Sequence, residues 1–352
     1  MNKNFSCRAQ LAVDRSAIRA NVRALQGMSC QCDVLGVVKA NAYGHGFANV
    51  IPHIDPFVDY YAVNNIIEAR TLLKFTSQNI LILQDTRHYP SISPQIHYTL
   101  SHTDIQPKYY STPTNFHIAL NTGMNRLGIP PQSFHPLISR LSTCTNIHIT
   151  GVYSHISDSS NTIRTNQQIQ IFNQHTSGFH NLRHIASSSS FSIYPNSQFN
   201  MVRVGIGLYG YLDQNTLPVM SVYSQIIHIH DVPANSYIGY GSDYLTTQPT
   251  KIAILDIGYA DGLPRSLSNA GFVLIHNTPC QILGNICMNM TLVDISHTNA
   301  KIGDLATILS TNLPASTLAN LAHTIPYQIL TNFTTLPTHS TAIFTQEFHR
   351  CI

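Results

Sequence analysis

Val34-Leu-Gly-Val-Val-Lys-Ala-Asn-Ala-Tyr-Gly-His-Gly46 is an apolar run that ends on a lysine and then breaks into a glycine-bearing turn. Val and Leu on consecutive positions predict a strand buried on both faces, as in a parallel sheet covered by helices. Lys39 is out of keeping with such a strand. Burying an ammonium is costly unless it is paired or gives up its charge, and a lysine pushed towards neutrality is what a Schiff base requires. Taken alone, such a lysine is more often a strand-end residue whose head reaches solvent, because buried lysines are rare.

Outward from this stretch the chain alternates. Strands are predicted at 34–38, 60–63, 80–83, 96–100, 116–120, 147–153, 184–187 and 202–206, with helices at 66–75, 133–141 and 167–179. Eight strands interleaved with helices over about 200 residues predict an α/β fold of the (β/α)₈ TIM-barrel type, whose active site lies at the C-terminal ends of the strands. Lys39 then stands at the C-terminal end of the first barrel strand. Before the barrel, 11–14 reads as a short strand and 15–25 as a helix. Beyond Leu212-Asp-Gln-Asn-Thr-Leu-Pro218 the pattern becomes short alternating runs at 219–230, 251–257, 272–275, 281–283, 291–295 and 305–308, an all-β signature. The expected division is a barrel domain over 1–216 and a C-terminal all-β domain over 217–352.

Composition narrows the function classes. The chain has 352 residues, enough for two domains, and its hydrophobic content of 43% supports a large core. Only 10% of residues are charged, against about a quarter in an average protein, and Ser, Thr, Asn, Gln and His fill the polar surface instead. A net charge of +3 without a basic run argues against nucleic acid and against a polybasic membrane contact. No apolar segment of signal-peptide or membrane-spanning length stands at the start, so a cytoplasmic location is expected. Seven cysteines without repeated spacing suggest neither a disulfide framework nor a zinc site, and Cys30 and Cys32 read as two free thiols.

Further motifs fall at the expected catalytic rim. Asn121-Thr-Gly-Met-Asn-Arg-Leu-Gly128 brings Arg126 just after the fifth strand. Gly151-Val-Tyr-Ser-His-Ile156 and His184-Ile-Ala-Ser-Ser-Ser-Ser190 bring histidines and hydroxyls. Val202-Arg-Val-Gly-Ile-Gly-Leu-Tyr-Gly210 sets Arg203 beside glycines whose backbone N–H groups suit a phosphate. The β region adds Gly239-Tyr-Gly241, Gly258-Tyr-Ala-Asp-Gly262 and Cys287-Met-Asn-Met290. Gly205 and Gly207 lack the third glycine and following helix of a dinucleotide fingerprint, and His228 and His230 lack a third ligand, so neither a Rossmann nor a metal site is expected.

In combination the blocks VVKANAYGHG, NTGMNRLG, VRVGIGLYG and GYADGLPR resemble the alanine racemase family, over about Ala9 to Tyr327. The family belongs to the fold type III pyridoxal-phosphate enzymes, which pair an α/β barrel with a β domain. The resemblance implies an isomerase that interconverts L-alanine and D-alanine by a two-base mechanism, supplying D-alanine for peptidoglycan. Related readings are a racemase of serine, or a weakly active or non-catalytic cofactor-binding homologue.

By this resemblance Lys39 binds pyridoxal phosphate covalently and serves one face of the substrate Cα, and Tyr240 serves the other. Tyr43, Ser188, Gly205, Ile206 and Tyr327 match the phosphate-holding positions. Arg203 matches the arginine opposite the pyridine nitrogen, linked through His155 and His184 to the tyrosine base. Arg126 and Met288 match contacts to the substrate carboxylate, and Tyr259 and Arg265 match the entrance. The family brings its tyrosine base across from a second subunit, which implies a homodimer with shared active sites.

The chain departs from the family at supporting charges. Ala119 stands where many members carry a carbamylated lysine, and Asn121 replaces a carboxylate. Asn289, Gln328 and Asn285 stand where Asp, Glu and Arg are common, and Thr335 to His339 replace arginines.

Overall fold

A computed structural model describes residues 9–28, 32–85, 87, 90, 92–213 and 215–341, without the side chains of 339–341. The chain divides into two compact units, one formed by Arg19–Ala42 and Val50–Thr216, the other by Met1–Ile18, Tyr43–Asn49 and Leu217–Ile352. One boundary between the units falls after residue 216. The β unit also takes up the N-terminal segment, because its first strand, β1 (Gln10–Asp14), pairs with the long strand of that unit and with its last strand.

The first unit is a parallel eight-stranded sheet of β2 (Asp33–Val37), β3 (Tyr60–Val63), β4 (Asn79–Ile82), β5 (Ile96–Leu100), β6 (Thr114–Ala119), β7 (Ile147–Tyr153), β8 (Leu182–His184) and β9 (Met201–Val204). Each strand follows its predecessor, β9 returns to pair with β2, and a parallel bridge between Ser187 and Arg203 joins the β8 and β9 ends, so the sheet closes. All eight predicted barrel strands are present. The strands are buried along most of their length, as apolar runs in a covered parallel sheet must be.

The layer of helices is incomplete. Helices lie at Phe47–Ile54, Ile66–Leu72, Phe134–Leu141 and Thr162–Thr176, but among the described residues no helix lies between β4 and β5 and a single 3₁₀ turn lies between β5 and β6. Helix starts follow local chemistry: Asn65 Oδ1 accepts from Ile67 N and Glu68 N (3.0 Å each), and Asn161 Oδ1 accepts from Arg164 N (3.1 Å).

The second unit is a mixed sheet of β1 with β10 (Met220–Val232), β11 (Thr250–Leu255), β12 (Phe272–Ile275), β13 (Thr278–Gln281), β14 (Thr291–Asp294), β15 (Leu305–Leu309) and β16 (Thr338–Thr341). The order β13-β12-β15-β10-β1-β16 is extended by β11, which pairs with β10 and β14. The first part of β10 alternates buried and half-buried residues, the period-2 pattern of a strand with one covered face. Ile238, Ile252 and Leu283 form a small core with Val232, Tyr244 and Leu292. The run predicted as a strand at 281–283 is shifted to Thr278–Gln281, and short helices at Ala315–Leu321 and Pro326–Asn332 are additional.

Among the described residues no helix is long and apolar enough to cross a membrane. Cys144, Cys280 and Cys287 are free thiols, and the Cys32 thiol donates to the Phe199 carbonyl (3.2 Å). Cys7, Cys30 and Cys351 lie outside the described residues.

Candidate active site

Lys39 follows directly on β2, and the chain after it turns the wrong way for L-residues. Ala40, Asn41, Ala42 and Tyr43 lie at φ of 53°, 51°, 58° and 52°. Each such residue costs about 1–2 kcal/mol relative to right-handed backbone, so this turn must be held by its surroundings. Ala42 N donates to the Val38 carbonyl (2.8 Å) and Ala40 N donates to Glu68 Oε1 (2.7 Å). The other oxygen of Glu68 accepts from Asn64 N (2.7 Å), so one carboxylate ties the turn to the capped start of the next helix. Lys39 itself is half-buried and makes no hydrogen bond or ion pair among the described residues. Burial, then the charge of Arg126, lowers its pKa, and Glu68 opposes the shift more weakly. A lysine so placed is biased towards the neutral amine.

Arg203, on β9, is the most constrained group of the barrel unit. Its Nη1 donates to His184 Nδ1 (2.9 Å) and to the His184 carbonyl (3.0 Å). Its Nη2 donates to the Ser154 carbonyl (2.7 Å), to His155 Nδ1 (3.0 Å) and to the Ile185 carbonyl (3.3 Å). The guanidinium lies 5.4 Å over the Tyr153 ring, which stacks on His184 at 5.2 Å. Burial, with a smaller push from Arg126, lowers its pKa to about 10, so it remains charged at neutral pH. Among the described residues no carboxylate neutralises it and none accepts from its Nε.

A guanidinium can only donate, so both ring nitrogens that meet it must accept. His155 and His184 therefore carry their protons on Nε2. Burial and Arg203 depress both rings, His155 to about 3, and keep them neutral. The predicted trio of His155, Arg203 and His184 is thus one hydrogen-bonded unit.

Arg126 sits at the tip of a loop folded tightly back on β6. Asn121 N donates to the Ile129 carbonyl and Ile129 N to the Ala119 carbonyl (2.9 Å each). A Cβ on Gly128 would lie 2.6 Å from Asn121 N, so only glycine closes this loop. Asn121 Oδ1 accepts from Gly123 N (3.2 Å) and Asn125 N (3.0 Å), and its Nδ2 donates to Asn125 Oδ1 (2.9 Å). The amide thus does the capping work of the absent carboxylate. Arg126 itself is exposed and makes no hydrogen bond or ion pair among the described residues, in keeping with Ala119 offering it none.

Ser188 Oγ accepts from Gly205 N (2.8 Å) and Gly207 N (3.3 Å), which draws the Ser188–Phe191 helix onto the Gly205-Ile206 turn. A hydroxyl and two backbone amides thus meet at the end of β9.

In the β unit, the Tyr43 and Tyr327 rings stand 6.0 Å apart. Burial raises the pKa of both, and each further disfavoured phenolate keeps its hydroxyl a donor. A Cβ on Gly44 would lie 2.6 Å from the Leu330 carbonyl, so the turn bearing Tyr43 docks on the helix bearing Tyr327 only because residue 44 is glycine. The Tyr259 and Met288 motifs are also one assembly: Tyr259 N donates to the Cys287 carbonyl (3.0 Å) and Ala260 N to the Met288 carbonyl (2.9 Å). Asp261 Oδ2 accepts from Gly258 N (2.9 Å) and from Asn289 Nδ2 (3.4 Å). Asn285 Nδ2 donates to the Tyr240 carbonyl (2.8 Å). Tyr240, Met288 and Tyr259 are 73%, 56% and 44% exposed, and Arg265 is exposed at the start of a short turn.

Four residues at the barrel site escape a reading by motif. Glu68 holds the left-handed turn and Asn65 caps the helix that carries Glu68, as above. Gln168, buried on the Thr162–Thr176 helix, accepts from Ser157 N and Oγ (2.9 Å each) and donates to the His155 carbonyl (3.0 Å) and Thr122 Oγ1 (3.3 Å). It clips the Arg126 loop to the His155 loop. His117, on β6, places Nδ1 2.9 Å from His184 Nε2. His117 lies two residues before Ala119, hence on the same face of the strand.

Two family models match the chain, the alanine racemase N-terminal domain over residues 13–213 and the C-terminal domain over 219–339. An alanine racemase of Vibrio parahaemolyticus is 30% identical over 347 residues, 93% of this chain and 97% of its own. A biosynthetic alanine racemase of Escherichia coli is 30% identical with the same coverage. The crystal structure of alanine racemase from Streptomyces lavendulae superposes with a TM-score of 0.90 at 26% identity, over 96% of this chain and 98% of that one. That of Bartonella henselae, which has covalently bound pyridoxal phosphate, gives 0.85 at 25% identity over 95% and 99%.

Proposed function

The chain belongs to the alanine racemase family, and from that premise we propose that it interconverts L-alanine and D-alanine with pyridoxal phosphate, Lys39 serving one face of the substrate Cα and Tyr240 the other. The donors present fit that cofactor. Arg203 keeps Nε for a ring nitrogen, Ser188 with the Gly205-Ile206 turn and the protonated Tyr43 and Tyr327 offer groups for a phosphate, and Lys39 is a lysine without a partner. When bound, pyridoxal phosphate supplies the electron-withdrawing system that makes the Cα–H acidic.

The observation that carries this reading is Arg203. A charged guanidinium held by five hydrogen bonds and no carboxylate keeps the ring nitrogen beside it unprotonated, which restrains the electron sink and favours return of the proton to Cα over transamination. The same charge acts through His155. With Nδ1 occupied by Arg203, the ring can only donate from Nε2, and a donor backed by a guanidinium stabilises a phenolate. That is what a tyrosine base with reference pKa near 10 requires.

Lys39, lowered by burial and Arg126, holds or releases a proton at Nζ on its face. Arg126, exposed and without a hydrogen-bond partner among the described residues, receives the substrate carboxylate, aided by the backbone N–H of Met288 of the partner subunit. The exposed tyrosines 240 and 259, with Met288, form an apolar group suited to face a second copy of the chain. The reading is therefore a homodimer in which Tyr240 of the partner subunit completes each site, with Tyr259 and Arg265 at a narrow entrance that favours a methyl side chain. It is a cytoplasmic enzyme supplying D-alanine for peptidoglycan.

The test is conversion of L-alanine to D-alanine by the cofactor-loaded chain in deuterated water, with L-serine as competitor. Racemisation of alanine with deuterium gained at Cα, lost in Lys39→Ala and strongly reduced in Tyr240→Phe, is expected. Full activity in Tyr240→Phe defeats the two-base assignment, and preferential turnover of serine defeats the substrate.

A further inference from the structure

His117 lies fully buried in the barrel and takes no part in the chemistry described above, yet its surroundings are built around it. The residue that pairs with it on β7 is Gly151, where a Cβ would lie 2.4 Å from His117 Nδ1 and 2.6 Å from its Cε1. Glycine at this strand position opens the space through which His117 Nδ1 reaches His184 Nε2 on the strand beyond, at 2.9 Å. Gly in a strand interior weakens the strand and marks a close approach.

The protons in this column follow from one fixed point. Arg203 Nη1 can only donate, so His184 Nδ1 accepts and the neutral ring carries its proton on Nε2. That proton is donated to His117, so His117 Nδ1 accepts and its own proton sits on Nε2. His117 Nε2 is buried and has no hydrogen-bond partner. A side chain kept only for volume would not carry an unsatisfied donor into a barrel core, because an apolar residue of similar size avoids that cost. The tautomer of the neighbouring His97 is fixed independently. Thr150 Oγ1 donates its single proton to the Phe116 carbonyl (3.2 Å), so it accepts from His97 Nδ1 (2.9 Å), and His97 carries its proton on Nδ1. The His97 and His117 rings meet edge to face at 5.3 Å. Tyr60 also packs on both, and Tyr153 on His184. Among the described residues no carboxylate touches the column.

We propose that His117 is a positioning residue for Arg203: by accepting the Nε2 proton of His184 it locks that ring in the one tautomer whose Nδ1 can receive the guanidinium. Without this acceptor, His184 is free to move its proton to Nδ1, where it opposes the Arg203 N–H and turns the guanidinium out of its fivefold seat. Burial keeps both rings neutral, so tautomer and not charge is what His117 sets. The functional part of the inference rests on the reading of Arg203 as partner of the ring nitrogen; the structural part does not.

The experiment separates the two. Histidine-¹⁵N-labelled chain without cofactor is examined by long-range ¹H–¹⁵N correlation, together with His117→Asn, whose Oδ1 can replace Nδ1 as acceptor, and His117→Leu, which cannot accept. Expected in the wild type are His184 and His117 with a pyrrole-type Nε2, and His97 with a pyrrole-type Nδ1. His117→Asn leaves the His184 signals in place, and His117→Leu moves them to the other tautomer or to exchange between the two. In the cofactor-loaded enzyme, His117→Leu lowers kcat about tenfold with KM nearly unchanged, the scale of one buried hydrogen bond, and His117→Asn restores most of it. A wild-type His184 protonated on Nδ1 overturns the inference, and it needs no variant to fold. Equal losses in the Asn and Leu variants also overturn it, as packing alone then explains them. A wild type that shows these tautomers but does not racemise alanine refutes the proposed function and leaves the tautomer lock standing.

Discussion

Gly151→Ala probes the packing beneath the Arg203 network with a single methyl group. The new Cβ would lie 2.4, 2.6 and 2.7 Å from Nδ1, Cε1 and Cγ of His117, distances that real Cβ atoms do not adopt. The atoms it meets belong to a rigid ring that is fully buried and flanked by His97, Tyr60 and His184, so the ring cannot swing aside as a flexible side chain would. Overpacking of this kind costs about 1–3 kcal/mol. Displacing His117 also breaks its bond to His184, leaving a buried donor unsatisfied for about 1–3 kcal/mol more. A total of about 2–4 kcal/mol follows if the strain is partly relieved as the bond breaks. For a chain of this length, melting in one transition, the entropy of unfolding is about 0.7 kcal/mol per degree, so Tm should fall by about 3–5 °C. Differential scanning calorimetry of the cofactor-free chain measures it directly. A loss below about 0.5 kcal/mol, the range of an ordinary surface change, would show that the space beside His117 is not filled as described, and the close approach across β7 would have to be abandoned.

Three other perturbations have definite signs. Gln168→Leu removes the clip between the Arg126 and His155 loops. Because the Arg126 side chain has no hydrogen-bond partner of its own among the described residues, its place depends on its loop, and KM for alanine should rise about tenfold while kcat changes less; an unchanged KM would show that the loops hold their places without it. Acid should destabilise the barrel through its histidines. His97 and His155 have folded pKa values depressed to about 4 and 3 by burial, against about 6.5 unfolded. Their stabilisation is present above pH 6.5 and is lost as pH falls towards the folded values, on the order of 3 kcal/mol for the pair between pH 7 and 5. A urea midpoint that holds constant from pH 7 to 5 would contradict their neutral burial. Ala40→Gly should raise the midpoint, since relief of a left-handed alanine at about 1–2 kcal/mol outweighs the added chain entropy of about 0.5–1 kcal/mol; a lowered midpoint would mean that the turn is not strained.

What could be read from the sequence and what could not divide along a physical line. The eight barrel strands are carried by contiguous apolar runs, whose burial on both faces is a local property, and they were located to within two or three residues. The place of Lys39 followed from one such run and the rule that barrel sites sit at strand ends. The left-handed turn after it was invisible, because Ala40, Asn41 and Ala42 give no warning of positive φ; the force that holds them comes from Glu68, 28 residues away. His117 and Gly151 were hidden for the same reason. Each is unremarkable in its own strand, and their meaning lies in pairing across β6, β7 and β8. A regular spacing of strands does not require a regular layer of helices: none is predicted between β4, β5 and β6, and among the described residues no α-helix lies there.

The replaced charges are best understood through the ones that remain. Asn121 shows that a carboxylate whose task is to accept backbone N–H groups can become an amide at little cost, since Oδ1 still accepts from Gly123 and Asn125. Asn289 and Asn285 likewise bond to Asp261 and to the Tyr240 carbonyl. Hydrogen-bond geometry survives such exchanges, whereas net charge does not. Arg203 is the converse case. All its acceptors are neutral carbonyls and imidazoles, so its full positive charge is retained in a buried setting where an ion pair would have cancelled it. Were one of these acceptors a carboxylate, the guanidinium would be as well held but electrostatically spent, and neither a ring nitrogen nor a phenol linked through His155 would feel it. Drift from acids to amides elsewhere in the chain is therefore compatible with the proposed catalysis for the same reason that a carboxylate beside Arg203 would not be: the role proposed for Arg203 depends on a buried cation that no carboxylate among the described residues compensates.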